Sequence, residues 1–467
     1  MRTVIEPFRV KTVEPIKFTT ASERQAILSR AGYNLFSVNA EDVIVDLLTD
    51  SGTSALSHEQ WAAMMHADES YAGCKSFFRL RETVEKIFGF PEVIPVHQGR
   101  AAERLLFGQL VMSGDVIVSN THFDTTRANI EALGATALDL PSREFLQSAS
   151  MYPFKGDIDL ESVADFLSRK DRPRMPFAMI TITNNAAGGQ PASLENLREY
   201  VRLLRAHDIP LFIDAARFAE NAYLIKLRSP EYANQSIEQI VKSIFELAEG
   251  CLMSAKKDGL SNIGGFLALR DKQLASRLKE QLILTEGFPT YGGLAGRDLE
   301  SIHVGLNEVL DESYLRYRAV SAEYLARGLL SHGIPISTPP GMHAIYVDAG
   351  RFLPHIPWHE FPGQVLVCEL YLEAGVRACE IGSVMFGKTD PSTGKALPAK
   401  SELVRLALPR RAYSQSHYDY VIEALANVFD RKASLAGLKM VEAPCRLRHF
   451  TARFEPVATR ANLSASC

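Results

Sequence analysis

The sequence predicts an α/β protein, with a large domain on a doubly wound, mostly parallel sheet and a smaller α/β domain after it. Three observations carry this expectation. Short apolar runs recur along the chain, they are continuous rather than alternating, and segments of helical periodicity separate them. Val116-Ile117-Val118, Ala178-Met179-Ile180-Thr181-Ile182, Leu211-Phe212-Ile213 and Cys251-Leu252-Met253 are the strand candidates. A run apolar on both faces suits a parallel strand covered by helices above and below. Between the second and third runs, Leu194, Leu197, Val201 and Leu204 follow a helical repeat, Ser193 stands as the N-cap and Pro191 lies just outside. Between the third and fourth, Ser236 and Gln239 make a capping-box pattern at the head of Ile237, Ile240, Ile244 and Leu247. The glycine-rich stretch Gly292-Gly293 and Gly296 precedes a helical region over roughly 298–331, and strand-like segments follow near 344–347 and 403–408. The organisation expected is an N-terminal arm over 1–47 that forms part of the small domain, a large domain over 48–310 and a C-terminal small domain over 311–467.

Composition narrows the class. The chain has 467 residues, 46% hydrophobic and 23% charged, which excludes disordered, collagenous and coiled-coil proteins. Lys plus Arg is 51 against 55 for Asp plus Glu, a net charge of −4. That balance, without a basic run, argues against a nucleic-acid partner or a polybasic membrane anchor. The six cysteines, Cys74, Cys251, Cys368, Cys379, Cys445 and Cys467, show no CxxC pair and read as reduced thiols. The first twenty residues mix Arg2, Glu6, Arg9 and Lys11 with prolines, unlike a signal peptide, and no apolar stretch is long enough for a bilayer. A soluble, cytoplasmic protein is expected.

In a doubly wound sheet, ligands sit outside the carboxyl ends of the strands. Reading just past each apolar run gives Phe123 and Asp124, then Asn184 and Asn185, then Asp214 and Arg217, then Ser254, Lys256 and Lys257. Pyridoxal 5′-phosphate needs this combination: a lysine amine for a Schiff base and a carboxylate that keeps the ring nitrogen protonated. Asp214 fits the second role, and Lys257 or Lys256 the first. Asn185 and Arg217 suit the ring's phenolic oxygen, and Phe123 offers a flat face. His97-Gln98-Gly99-Arg100, ahead of a helical pattern, supplies backbone amides and a charge for the phosphate. Taken singly, each has an ordinary reading. Asp214 is then a helix cap, Lys256-Lys257 a solvated pair, and His97 and His343 structural histidines. The order of the elements carries the argument.

Longer strings resemble a known family. They are Asp46-Leu47-Leu48-Thr49-Asp50-Ser51-Gly52-Thr53, His97-Gln98-Gly99-Arg100, Ala187-Gly188-Gly189-Gln190-Pro191, Ala216-Arg217-Phe218-Ala219-Glu220-Asn221-Ala222-Tyr223, Ser254-Ala255-Lys256-Lys257-Asp258 and Glu286-Gly287-Phe288-Pro289-Thr290-Tyr291-Gly292-Gly293. The chain resembles, nearly end to end, the β-eliminating lyases, the family of tryptophan indole-lyases and tyrosine phenol-lyases. Their fold is the aspartate-aminotransferase-like fold type I. The resemblance implies Lys257 as the Schiff-base lysine, with Gln98, Gly99, Arg100 and Ser254 on the phosphate and Lys256 beside them. It further implies Phe123 stacked on the ring, Asn185, Asp214 and Arg217 on the pyridine, and Arg405 as clamp of the substrate carboxylate. Tyr71 matches the family's tyrosine general acid, donated across a subunit boundary. Gly52, Glu69 and Asn262 match its potassium site, and a homotetramer built as a dimer of dimers is implied.

Three positions bear on the substrate. Phenol-lyases place arginine after the residue matching Glu380, threonine after that matching Phe123, and a Phe-Phe pair near the carboxyl end; this chain has Ile381, Asp124 and His449-Phe450. Arginine suits a phenol oxygen gaining negative charge, whereas indole offers only an N–H donor and an apolar ring. Ile381 removes a buried charge that indole would leave unpaired. The segment between Arg100 and Val116 is short, as in phenol-lyases. The activity implied is β-elimination of L-tryptophan to indole, pyruvate and ammonia. The rivals are tyrosine phenol-lyase, a pyridoxal-phosphate aminotransferase and a catalytically silent relative.

Overall fold

A computed structural model of the chain describes residues 3–186, 188–390, 392–444 and 447–457. Cys445, Cys467 and Ala187 of the glycine-rich string lie outside the described residues. Helix α1 (Lys75–Phe88) turns one face, Phe77, Leu80, Val84, Ile87 and Phe88, into the interior and stops at Gly89, whose φ of 74° favours glycine. The chain then alternates through β1 (Glu92–Val96), α2 (Gly99–Leu110), β2 (Val116–Ser119), α3 (Asp124–Ala132), β3 (Thr136–Asp139) and β4 (Ala178–Thr181). It continues through α4 (Leu194–Arg205), β5 (Leu211–Asp214), α5 (Phe218–Arg228), α6 (Ile237–Phe245), β6 (Gly250–Ser254) and β7 (Gly265–Leu269). Ser193 caps α4 by accepting from Asn196 N, and Ser236 and Gln239 close a capping box on α6. Both caps lie where the sequence puts them.

The central sheet runs β1-β7-β6-β5-β4, with β4, β5 and β6 parallel and β7 antiparallel to both its neighbours. β2 and β3 pair in parallel beside it. The strands are continuously apolar because both faces are covered. Leu211, Ile213, Cys251 and Met253 enter one core, while Phe212 and Leu252 enter another on the opposite face. In the first core, Phe88 packs edge-on against Phe218 and Phe245 with centroids 4.7 and 4.8 Å apart.

The helical region expected over 298–331 is two helices, α7 (Gly296–Glu308) and α8 (Glu312–Ser331). Asp311 breaks it, because its carboxylate accepts from Ser313 N and caps α8. A second core follows, built on β8 (Ala344–Asp348), α9 (Pro362–Ala374), β9 (Cys379–Ile381), β10 (Leu403–Ala407) and α10 (Gln415–Asp430). Its strands form an antiparallel sheet in the order β9-β10-β8. Leu28, Leu35, Ile44 and Leu47 belong to this core, and Val45–Asp46 pairs in parallel with Val376–Arg377. No helix among the described residues is long and apolar enough to cross a membrane.

Candidate active site

β1 points the same way as β4, β5 and β6, because β7 lies antiparallel between β1 and β6. Their carboxyl ends therefore share one edge, where a cleft of about 850 Å³, measured with its open mouth, is found. Gln98, Gly99 and Arg100 enter it from the β1–α2 turn, Phe123 from the N-cap of α3 and Asn185 from beyond β4. Asp214 and Arg217 come from the end of β5, and Ser254, Lys256 and Lys257 from the end of β6. The cleft thus gathers the residues that the sequence singles out for a cofactor.

One end of the cleft suits an anion. Gln98, the N-cap of α2, makes no side-chain bond to the first turn, so the amides there keep no cap of their own. A Cβ on Gly99 would stand 2.9 Å from Ser254 Cβ, so only glycine lets this helix end meet the end of β6. Lys256 has its pKa lowered first by burial and then by the positive charge of Arg100, so an anion placed between the two would be favoured. A phosphate fits there.

The other end suits a cationic ring. Burial raises the pKa of Asp214, against the pull of Lys257, the Ala216 amide (3.1 Å) and Arg217. A carboxyl so placed gains by meeting a cation. Burial, then Arg217, lowers the Lys257 amine to about 8; Asp50 and Asp214 oppose this and Arg410 adds to it. Asn185 Oδ1 accepts from Arg405 Nη1 at 3.0 Å and Tyr346 OH at 2.9 Å, which leaves Nδ2 as the donor, without a partner among the described residues. A phenolic oxygen at the ring edge would satisfy it.

Arg405, buried on β10, touches the cleft through Asn185. Its Nη2 donates to Leu48 O at 2.9 Å, and its Nε finds no acceptor among the described residues. Ile381 packs with Cys379, Tyr346 and Leu403, flanked by Phe36, Met385 and Phe386, the last of which lines the cleft. Asp124 Oδ2 stands 3.2 Å from His449 Nε2, without the alignment of a hydrogen bond, and both side chains are buried. The rings of Phe36 and Phe450 close around His449. An apolar group with one carboxylate and one imidazole thus packs beside the cleft, which Phe386 of this group lines.

The expected proton donor and the expected cation ligands do not line this cleft. Tyr71 is 70% exposed and packs on Phe288 and Tyr291, with centroids 5.5 Å away in each case. Gly52 and Asn262 do meet, through Asn262 Nδ2 and Gly52 O at 3.1 Å. Glu69 instead accepts from Gly296 N at 2.8 Å at the start of α7. Among the described residues, no group of three or more His, Cys, Asp or Glu side chains is arranged to hold a metal ion.

Other polar residues meet at the site without the sequence having assigned them a role there. Glu103 lines the cleft, accepts from Thr126 Oγ1 and from Asn129 Nδ2 (3.1 Å), and is pushed by burial up to about 7. Its place one turn beyond Arg100 on α2 is the signal that could have found it. Asp50 binds Arg217 twice, through Nε at 2.9 Å and Nη2 at 2.7 Å. His343, fully buried, lies 3.3 Å from Asn185 Oδ1 and 3.1 Å from Tyr346 OH.

A family profile described as Beta-eliminating lyase matches residues 46–424. The chain is 54% identical to a tryptophanase of Hyphomonas neptunium, over 97% of this chain and 100% of that one. It is 53% identical to a tryptophanase of Salinibacter ruber, covering 99% and 97%. A tyrosine phenol-lyase of Symbiobacterium thermophilum is 45% identical, covering 97% and 99%. Among solved structures, the serine palmitoyltransferase of Sphingomonas wittichii shares the fold, with a TM-score of 0.59 at 13% identity over 89% of this chain and 97% of that one. A threonine aldolase of Leishmania major does so with a TM-score of 0.56 at 15% identity, over 82% and 99%.

Proposed function

The chain belongs to the β-eliminating lyase family, and from that premise we propose that it is a carbon–carbon lyase that splits L-tryptophan into indole, pyruvate and ammonia. The observation that carries the reading is the placing of Asp214 and Lys257 at the ends of adjacent parallel strands, in one cleft with an uncapped helix N-terminus. Pyridoxal 5′-phosphate, when bound, supplies a carbonyl for the amino acid and a ring that takes up the electrons left by the α-proton. The first turn of α2, with Arg100, Ser254 and Lys256, holds its phosphate. Asp214 keeps the ring nitrogen protonated, Asn185 and Arg217 hold the ring oxygen, and Phe123 covers a face.

Arg405 orients the substrate carboxylate through its forked guanidinium. Lys257 would hold the cofactor, and its amine, whose pKa burial and then Arg217 lower, is the base placed to take the α-proton. Indole leaves only once its C3 carries a proton, which Tyr71, Asp124 or both deliver. The apolar group of Ile381, Phe36 and Phe386 receives the ring, and Asp124 beside His449 either accepts the indole N–H or shares in protonating C3. A phenol oxygen gaining charge would meet no cation at position 381.

Tyr71 and Glu69 stand on one exposed segment, away from the cleft of their own chain. They belong to a neighbouring copy's site in a homotetramer, where Glu69 completes a potassium site with Gly52 and Asn262. Residues 48–310 form the cofactor-holding domain, with 1–47 and 311–467 making up the small domain, and the enzyme acts in the cytoplasm. The test is to incubate the protein with pyridoxal phosphate, potassium and either tryptophan or tyrosine. Indole release far exceeding phenol release is expected. Phenol as the main product refutes the substrate assignment, and keto-acid dependence refutes elimination.

A further inference from the structure

Behind the cleft lies a buried charge network of which the steps above use only Arg217. Arg410, three residues past the end of β10, has no exposed surface. Its Nη1 donates to Asp50 Oδ2 at 2.9 Å, and its Nη2 to Asp258 Oδ1 at 2.7 Å and Glu220 Oε1 at 2.9 Å. These carboxylates come from three separate segments. Asp50 follows the crossing from the second core and carries Arg217 on its other side. Glu220 lies in the first turn of α5 and also meets Arg318. Asp258 directly follows Lys257 and caps that same turn by accepting from Ala219 N at 2.9 Å and Glu220 N at 3.1 Å. Asp50, Glu220 and Asp258 are thereby balanced by Arg217, Arg318 and Arg410.

Stability alone does not account for such a cluster, because apolar residues of equal volume serve a core as well as buried ion pairs do. What the guanidinium adds is fixed geometry, since its planar fork holds several acceptors at set angles. Here the fork joins the segment that directly follows β10 to Asp50, to α5 and to the loop after Lys257. β10 itself carries Arg405. We propose that Arg410 is a positioning residue for the elimination. It registers the strand bearing Arg405, and through Asp50 the guanidinium of Arg217, against the loop that presents Lys257. Substrate carboxylate, ring oxygen and lysine amine then keep their separations as the substrate is exchanged.

The electrostatics agree. The charged groups acting on Lys257 are Arg217, Asp50, Asp214 and Arg410, and both arginines favour the neutral amine. Loss of the Arg410 charge therefore raises the proton affinity at position 257.

The inference rests on the cofactor reading above, and one set of measurements separates the two. Wild type, Arg410→Lys and Arg410→Met are loaded with pyridoxal phosphate and reduced with borohydride, and the labelled peptide is identified by mass spectrometry. The cofactor's absorbance is titrated with pH, and kcat and KM are measured for tryptophan. Label on Lys257 is expected in wild type, and its absence there refutes the cofactor reading. In Arg410→Met the absorbance midpoint should rise by about one pH unit. Arg410→Lys, which keeps the charge but not the fork, should keep the midpoint, lose at least about tenfold in kcat and raise KM. An Arg410→Lys enzyme equal to wild type in kcat and KM overturns the proposal, even where Arg410→Met does not fold, because a charge serving only to balance its neighbours is replaced by lysine.

Discussion

Replacing Asp214 by asparagine isolates the electronic part of the mechanism from the binding part. The amide has the shape of the carboxyl group, and its oxygen can keep the 3.1 Å bond from the Ala216 amide, so β5 and the cleft should survive. Only the charge is lost. In the buried site a carboxylate in contact with a cationic ring nitrogen raises that nitrogen's pKa by about two to three units, the upper part of the range for close opposite charges. At 1.36 kcal/mol per unit this is about 3–4 kcal/mol, or a loss of about 10²–10³-fold in kcat if the protonated ring is the electron acceptor. Carbanion formation depends on that acceptor, whereas docking of the substrate carboxylate on Arg405 does not, so KM should change far less than kcat. The assay is indole release at saturating tryptophan, with borohydride trapping to confirm full cofactor occupancy. A fully loaded Asp214→Asn enzyme within threefold of wild type in kcat would falsify the role given to Asp214.

Asp124→Ala should cut tryptophan elimination by about 100-fold or more while sparing S-alkylcysteines, whose thiolates leave without ring protonation; equal losses on both substrates would rule out a leaving-group role. Ile381→Arg places a charge in the apolar group formed with Cys379, Tyr346 and Leu403, so kcat/KM for tryptophan should fall at least about tenfold and the tyrosine-to-tryptophan ratio should rise. An unchanged ratio would show that this group does not receive the leaving ring. Glu380 is pushed up to about 8 by burial and then by Glu402, against the amides of Val384 and Met385. Its folded pKa exceeds the unfolded one, so the folded chain holds the extra proton and stability falls as pH rises from about 4.5 to about 8. Glu380→Gln should therefore narrow the difference in Tm between pH 5.5 and pH 8; an undiminished difference would place that loss elsewhere.

The parts of the fold that were legible are those written locally. Ser193 and Ser236 cap helices because a hydroxyl facing free amides is a short-range fact, visible in a few residues of sequence. The runs at 211–213 and 251–253 read as buried strands because covering both faces of a sheet leaves no polar alternation. The break at Asp311 was hidden. The apolar pattern continues on both sides of it, and only the competition of the carboxylate for the Ser313 amide separates α7 from α8. The antiparallel placing of β7 was equally invisible, since strand direction depends on how the chain returns rather than on composition.

The site divides along the same line. Lys257, Asp214, Asn185 and Phe123 could be picked out because each follows its own strand, and an α/β sheet brings those ends to one edge whatever the loops do. Asp50 and Arg410 could not, because each acts through partners at least 152 residues away in the chain, and no spacing encodes that partnership. Yet Asp50 holds the very arginine that the strand-end reading had singled out, so the visible residue depends on an unseen one for its orientation. Tyr71 is the limiting case. Its ring lies among Phe288 and Tyr291, outside the cleft of its own chain, so the proton-donor role proposed for it would need a second copy to bring it there. A variant held as a monomer should therefore keep Lys257, Asp214 and the anion-binding helix end together and still lack that proton donor. Retention of cofactor with loss of indole release is the signature of that division, and full turnover by a monomer would exclude Tyr71 from the reaction.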